Sequence, residues 1–337
     1  MRHILEFERI WQGAQIHRLE ENYRSSNAIL QLANAIIRDN PDRHGKMLRT
    51  TRGEGDVPAW KVCDDEYDEA RQVLAWLKQR RDHGVAWSEM AVLYRSNRQS
   101  LPFEQIFREA DIPYRMIGGV GFFERMEIKD ALAYWAMLNR CGDGLQLLRI
   151  CNKPRRGIGA KGQEEIAAQL NHAGLRAGDW LDTIAAGQAI GAARKLTALA
   201  RLMADMRQRS EAMPDRGLMP VLEESGYLDS LKALGQLEYE SRLENIQTLQ
   251  RYIKLTLAEG ATPIEFMDRA ALLQSGEERQ DEDDCVSLMS LHRAKGLEFD
   301  TVAVTGVEEG LLPHQRAVDE GEAGISEERR LLYVGIT

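Results

Sequence analysis

Apolar and polar positions follow two different rhythms along the 337-residue chain. Near the start, Gln15-Ile16-His17-Arg18-Leu19 alternates with period two, as a short strand does. Ser25 or Ser26 can then cap a helix in which Ile29, Leu30, Ala33, Ile36 and Ile37 share one face, until Asn40-Pro41 ends it. A second strand-helix pair runs from Ala59-Trp60-Lys61-Val62-Cys63 into a helix carrying Ala70, Val73, Leu74 and Leu77. A third runs from Met90-Ala91-Val92-Leu93-Tyr94 into a helix through Phe103, Ile106 and Phe107. Strand, helix, strand, helix predicts a parallel sheet covered by helices.

The rhythm changes at about Arg125. From there to Glu278 the 3.6-residue period dominates, in segments such as Ile128 to Leu138, Gln163 to Leu170, Ala192 to Met206 and Leu243 to Leu257, with Gly and Pro between them. The run from Glu277 to Asp284 reads as a solvated acidic connector. After it, Cys285 to Ser290 and Thr301 to Val304 again have the character of buried strands. The pattern predicts an α/β fold: a discontinuous parallel-sheet domain over 1–124 and 279–337, with a mostly α-helical domain inserted over 125–278.

Composition narrows the class. A chain of this length has room for about two domains of ~150 residues. With 29% charged and 43% hydrophobic residues and only 9 prolines it is neither disordered nor fibrous. The longest apolar run without a charge, Thr183 to Ala193, is far short of the ~18–20 residues that a bilayer span needs, so no membrane partner is expected. Cys63, Cys141, Cys151 and Cys285 form no CxxC pair, which predicts neither a zinc site nor a disulfide framework. Glu6, Glu8 and Arg9 interrupt the opening segment where an export signal would be apolar, and the expected location is a reducing cytoplasm. The net charge of −9 does not decide against nucleic acid, because a local basic surface governs that interaction.

An α/β domain calls for a phosphate cradle, yet the sequence has none. Gly45-Lys46 is followed by Met47 and lacks the upstream glycine of a G-x-x-x-x-G-K-[ST] loop. The acids Asp64, Asp65 and Glu66 after Cys63 could suggest metal ligands, but acids at the first turn of a helix are expected for their effect on the helix dipole.

Four segments are more specific: Leu19-Glu20-Glu21-Asn22-Tyr23-Arg24-Ser25; Gly118-Gly119-Val120-Gly121-Phe122-Phe123-Glu124-Arg125 followed by Glu127-Ile128-Lys129-Asp130; Ser287 to Asp300, with His292-Arg293-Ala294-Lys295-Gly296-Leu297-Glu298-Phe299 at its centre; and Glu327-Glu328-Arg329-Arg330-Leu331-Leu332-Tyr333-Val334-Gly335-Ile336-Thr337. With Tyr94-Arg95-Ser96-Asn97, Ile112-Pro113-Tyr114-Arg115, Arg156-Gly157-Ile158-Gly159 and Glu308 to His314, this set closely resembles, over essentially the whole chain, the C-terminal half of the UvrD/Rep/PcrA-type superfamily 1 DNA helicases.

The resemblance implies a second RecA-like motor domain with its inserted helical subdomain, from an ATP-dependent 3′-to-5′ DNA helicase. ATP and Mg2+ would be held mostly by a first motor domain, the N-terminal part of the same parent chain. Arg24 matches the arginine that reaches the γ-phosphate across the cleft, a task suited to a permanently charged, rigid fork of donors. Glu298, after Gly296, matches the acid that accepts from the ATP ribose, and His292 and Ser290 match positions meeting single-stranded DNA. In the insertion, Arg149, Lys153, Arg155, Arg156 and Lys161 occur with no acid between Leu145 and Gln163. Gly157 and Gly159 there let backbone amides approach a phosphate ahead of a helix N-terminus, the logic of sequence-independent duplex contact at a single-strand/duplex junction. A bacterial, nucleoid-associated protein is implied.

Two departures accompany the match. Gln99-Ser100-Leu101 stands where the family has Gln-Ser-Arg, and the chain stops at Thr337, before the arginine that completes the last motif. The expectation is therefore a piece of a longer protein that hydrolyses no ATP alone. The alternatives are a non-catalytic DNA-binding or docking module, and a fragment of a RecB/AddA-type helicase-nuclease.

Overall fold

The computed structural model describes residues 10, 11, 13, 17, 19–41, 47–274 and 284–337. Of the strand expected over 15–19 only residues 17 and 19, and of the acidic connector at 277–284 only residue 284, are among them. The chain divides into two compact units, one of residues 1–120 with 277–337 and one of residues 121–276.

The first unit opens with β1 (Glu21–Asn22), α1 (Asn27–Arg38) and β2 (Arg49–Thr50), the two short strands pairing in parallel. It continues through α2 (Glu66–Asp82), β3 (Met90–Tyr94), α3 (Ser100–Glu109) and β4 (Tyr114–Met116). The second unit follows as α4 (Met126–Leu138), α5 (Gly144–Ile150), α6 (Ala160–Ala173), α7 (Ala177–Ala185), α8 (Thr197–Ser210), α9 (Leu218–Glu224), α10 (Tyr227–Lys232), α11 (Gln236–Ala258) and α12 (Pro263–Gln274). The chain then returns to the first unit with β5 (Val286–Ser290), β6 (Thr301–Val304), α13 (Gln315–Asp319) and α14 (Glu322–Ile336).

The main sheet has the order β4-β5-β3-β6 and is parallel throughout, so strands from before and after the insertion alternate within it. Helices cover both faces. On one, Ala70, Leu74 and Leu77 of α2 and Phe103 and Phe107 of α3 pack with Val92, Tyr94, Leu288 and Ala303. On the other, Leu331 and Leu332 of α14 pack against Ala91, Leu93, Met289 and Leu291. Burial on two sides explains why β3 is a continuous apolar run and not an alternating one, and β5 is likewise buried from Val286 to Met289.

The helical unit is built around α4, which is buried on nearly all sides from Ile128 to Leu138 and touches α5, α8, α9 and α11. A helix apolar all round belongs at a centre, and Trp135 there donates its indole N–H to the carbonyl of Asp215 at 2.7 Å.

Several sequence expectations change. Ala59 to Cys63 forms no strand: among the described residues no strand pairs with it, and Trp60 stands 87% exposed. Alternation yields a strand only where a sheet edge accepts its backbone groups. The segment from Ala192 to Met206 is not one helix but a 3-10 turn, Gly191–Leu196, followed by α8. Asp65 stands just ahead of the first turn of α2 and caps it, accepting from the amides of Tyr67 and Asp68, while Glu66 lies in that turn.

Candidate functional site

Arg24 lies in the turn between β1 and α1. The Asn22 side chain fixes that turn, its Oδ1 accepting from the backbone amides of Arg24 at 3.0 Å and Ser25 at 2.8 Å. Arg52, just beyond β2, donates to the Arg24 carbonyl, so the parallel pairing of β1 and β2 holds the turn from below. The guanidinium points outward. Its Nε meets Glu298 Oε2 at 3.0 Å across 274 positions of sequence, with the two side chains 44% and 72% exposed. Glu298 lies in the connection from β5 to β6, two residues after Gly296, which turns at φ +94°, the region that favours glycine. The structure thus brings together Arg24, Gly296 and Glu298 on the surface of one unit. An exposed pair of this kind is held by under about 1 kcal/mol, so either partner can leave it for a ligand.

A parallel sheet gathers ligands beyond the carboxyl ends of its strands. Here β3 ends into Arg95, β4 into Gly118-Gly119, and β5 into Ser290, Leu291 and His292. The Ser290 carbonyl accepts from the amides of Arg293 and Ala294, bending the chain so that His292 and Arg293 are exposed. Partial desolvation of the ring by its neighbours, and after it the Arg95 charge, hold the His292 imidazole below its usual range and favour its neutral form. Arg95 grips Glu328 of α14 with both Nε and Nη2 at 2.9–3.0 Å. Burial alone would raise the Glu328 carboxyl, but Arg95 and the His314 amide bring it below the ordinary glutamate value. Arg95 and Glu328 stand in two of the sequence motifs, but they sit 233 positions apart, and only the fold shows that they meet.

In the helical unit the basic stretch is less free than its sequence suggests. Asp130 of α4, with a side chain 3% exposed, pairs with Arg149 at 2.6 Å and Lys153 at 2.9 Å, and accepts from the Tyr227 hydroxyl at 3.1 Å. Burial, reinforced by the Asp130 charge, pushes the Tyr227 phenol well up. Arg156 turns inward: Nη1 donates to the carbonyls of Ile150 at 2.8 Å and Lys153 at 2.9 Å, and Nη2 to the Tyr134 hydroxyl at 2.9 Å. Those bonds satisfy carbonyls at and just beyond the end of α5, so both Nη groups are engaged within the chain. Arg155 and Lys161 remain exposed on either side of Gly157 and Gly159. Asn152 Oδ1 shapes this loop by accepting from the amides of Arg156 and Ile158, Lys195 donates to the Gly157 carbonyl, and Gly159 caps α6 with no side chain in the way. Among the described residues no group of three or more His, Cys, Asp or Glu could hold a metal ion, and no helix is long and apolar enough to cross a membrane.

Comparison with known proteins gives this arrangement a context. ATP-dependent DNA helicase UvrD1 of Mycobacterium tuberculosis is 35% identical over 359 aligned positions, covering all of this chain and 46% of the relative. ATP-dependent DNA helicase PcrA of Leuconostoc citreum is 36% identical over 353 positions, with 100% and 46% covered. PcrA of Bacillus subtilis is 36% identical over 347 positions, with 99% and 46% covered. The chain therefore spans about half the length of the curated relatives it matches. Its mixed α/β architecture, a RecA-like parallel sheet with an inserted helical region, fits the family model described as the UvrD-like helicase C-terminal domain, which matches residues 17–337, and the chain belongs to that family.

Proposed function

We propose that the chain is the second motor half of an ATP-dependent 3′-to-5′ DNA helicase, supplying the contacts made to ATP from across a cleft and part of the DNA track. The observation that carries this reading is the outward-facing pair of Arg24 and Glu298, held by a fixed turn and joined by nothing stronger than an exposed ion pair. The donor set fits a nucleotide. Arg24 offers permanently charged Nη donors for phosphate oxygens, and Glu298 offers a carboxylate that accepts from ribose hydroxyls. ATP supplies the phosphoanhydride whose cleavage drives the parent motor. Asn22 and Arg52 hold the Arg24 backbone, so the guanidinium has only to leave Glu298 to meet the negative charge that gathers on the transferred phosphoryl group. Mg2+ finds no cluster among the described residues, and in this reading it arrives with phosphates held by the N-terminal motor domain.

Neutral His292 and the Ser290 hydroxyl would meet a single strand by hydrogen bonds. Arg155, Lys161, the amides at Gly157 and Gly159 and the start of α6 would meet duplex phosphates at a junction. Arg156 acts through the loop it braces and not by touching DNA. A protein working on DNA in this way belongs in the bacterial cytoplasm, at the nucleoid. The test uses the purified chain: a fluorescent single-stranded oligonucleotide should bind with an affinity that falls as salt rises, while Mg2+-ATP turnover stays at background. Robust turnover by the chain alone, or no oligonucleotide binding at low salt, would overturn the proposal.

A further inference from the structure

Helix α14 touches both proposed sites of the first unit. Near its middle, Glu328 takes the Arg95 fork, and its Oε2 also accepts from the His314 amide at 3.0 Å. The pair is largely buried, at 22% and 7% exposure. One residue before its end, Gly335 lies so close to the segment following β5 that a Cβ there would stand 2.2 Å from Leu291 Cδ2. Leu291 sits between Ser290 and His292, and its amide donates to the Tyr94 carbonyl at 2.8 Å, directly before Arg95. At the last residue, the Thr337 carbonyl accepts from the Ser25 hydroxyl at 3.0 Å, and Ser25 follows Arg24. Glu328 and Thr337 are nine residues apart, about 13 Å of helix.

We infer that Arg95 and Glu328 are positioning residues that lock α14 as a strut between the strand-contacting segment Ser290–His292 and the nucleotide-contacting Arg24 turn. A bidentate fork fixes the rotation of a helix as well as its distance, which a single-point contact does not. A largely buried ion pair gives little net stability over apolar side chains of the same size, so its geometric role is the stronger account of it here. With Glu328 pinned, movement of the Ser290–His292 segment cannot be absorbed by rotation of α14 and passes to Thr337 and the Ser25 hydroxyl. The inference rests on the reading of the two sites given above, but the strut itself can be tested without a ligand.

The test is amide hydrogen exchange on the full chain, followed by mass spectrometry, for the wild type, Glu328→Gln, and the double variant Arg95→Met with Glu328→Met. The double variant removes both charges together and so keeps the fold when the single substitution does not. Without ligand, exchange at Asn22 to Ser25 should rise about fivefold or more in the variants while β3 and β5 keep wild-type rates. Saturating single-stranded oligonucleotide should slow exchange at the same turn about threefold in the wild type and leave it unchanged in the variants. Wild-type exchange at that turn in the ligand-free variants would overturn the strut. An oligonucleotide response that survives in the variants would overturn the coupling. Failure of the wild type to bind the oligonucleotide would instead overturn the proposed function, with the ligand-free comparison still deciding the strut.

Discussion

Asp130 offers a measurable consequence of the way the basic stretch is held. Its carboxylate, 3% exposed, accepts from Lys153 at 2.9 Å and the Tyr227 hydroxyl at 3.1 Å and forms an ion pair with the Arg149 guanidinium, whose Nε lies 2.6 Å away. In Asp130→Asn the volume is kept, the charge is lost, and the new amide must turn one N–H toward groups that also donate. Removing one partner of a buried charge pair costs about 3–5 kcal/mol. Arg149 and Lys153 are 32% and 40% exposed and can turn partly to water, which lowers the expected loss to about 2–3 kcal/mol. For a unit of this size that is a fall in melting temperature of about 5–10 °C by far-ultraviolet circular dichroism. The two cations released from Asp130 then add to the exposed positive charge, so duplex affinity measured at low temperature on folded protein should not fall. A melting temperature within about 1 °C of wild type would refute the assignment of Asp130 as the counter-charge that organises this loop.

Two shorter predictions follow from the same structure. Glu328 is held below the ordinary glutamate value, so its contribution to stability is present above that value and lost as pH falls through the folded-state one. Urea midpoints measured from about pH 6 to about pH 3 should therefore decline less steeply in Glu328→Gln than in the wild type, and identical slopes would contradict the shift. Replacing Arg155 and Lys161 together by Ala should weaken binding to a single-strand/duplex junction and reduce the slope of log affinity against log salt by about 2, whereas Arg156→Ala should act through stability and leave the slope near wild type.

What the sequence could and could not show follows from the range of the interactions. β3 was legible because a strand buried on both faces is apolar throughout, β5 and β6 because they are short and mostly apolar, and α4 because from Ala131 to Leu138 a central helix is apolar on every side. β4 was not read as a strand, since three residues carry too little pattern, and it exists because β5 accepts it. The reverse happened at Ala59 to Cys63, where good alternation found no partner. At the candidate site the same division holds. Arg24, Glu298 and His292 were identified within local motifs, but the meeting of Arg24 with Glu298, of Arg95 with Glu328 and of Asp130 with Arg149 depends on the tertiary fold. Arg156 and Arg155 are adjacent and chemically identical, and the carbonyls of Ile150 and Lys153 and the Tyr134 hydroxyl distinguish the inward arginine from the outward one.

The central claim is that this chain lends Arg24 to a nucleotide held elsewhere, and hydrolysis in trans tests it most directly. The chain is mixed with a separately produced N-terminal motor half of a PcrA relative, single-stranded DNA and Mg2+-ATP, using the wild type and Arg24→Ala. The account predicts turnover that appears only in the mixture, rises with DNA, and falls about a thousandfold or more in Arg24→Ala, the range seen when an arginine finger is removed. Turnover in the mixture that Arg24→Ala leaves unchanged would contradict it.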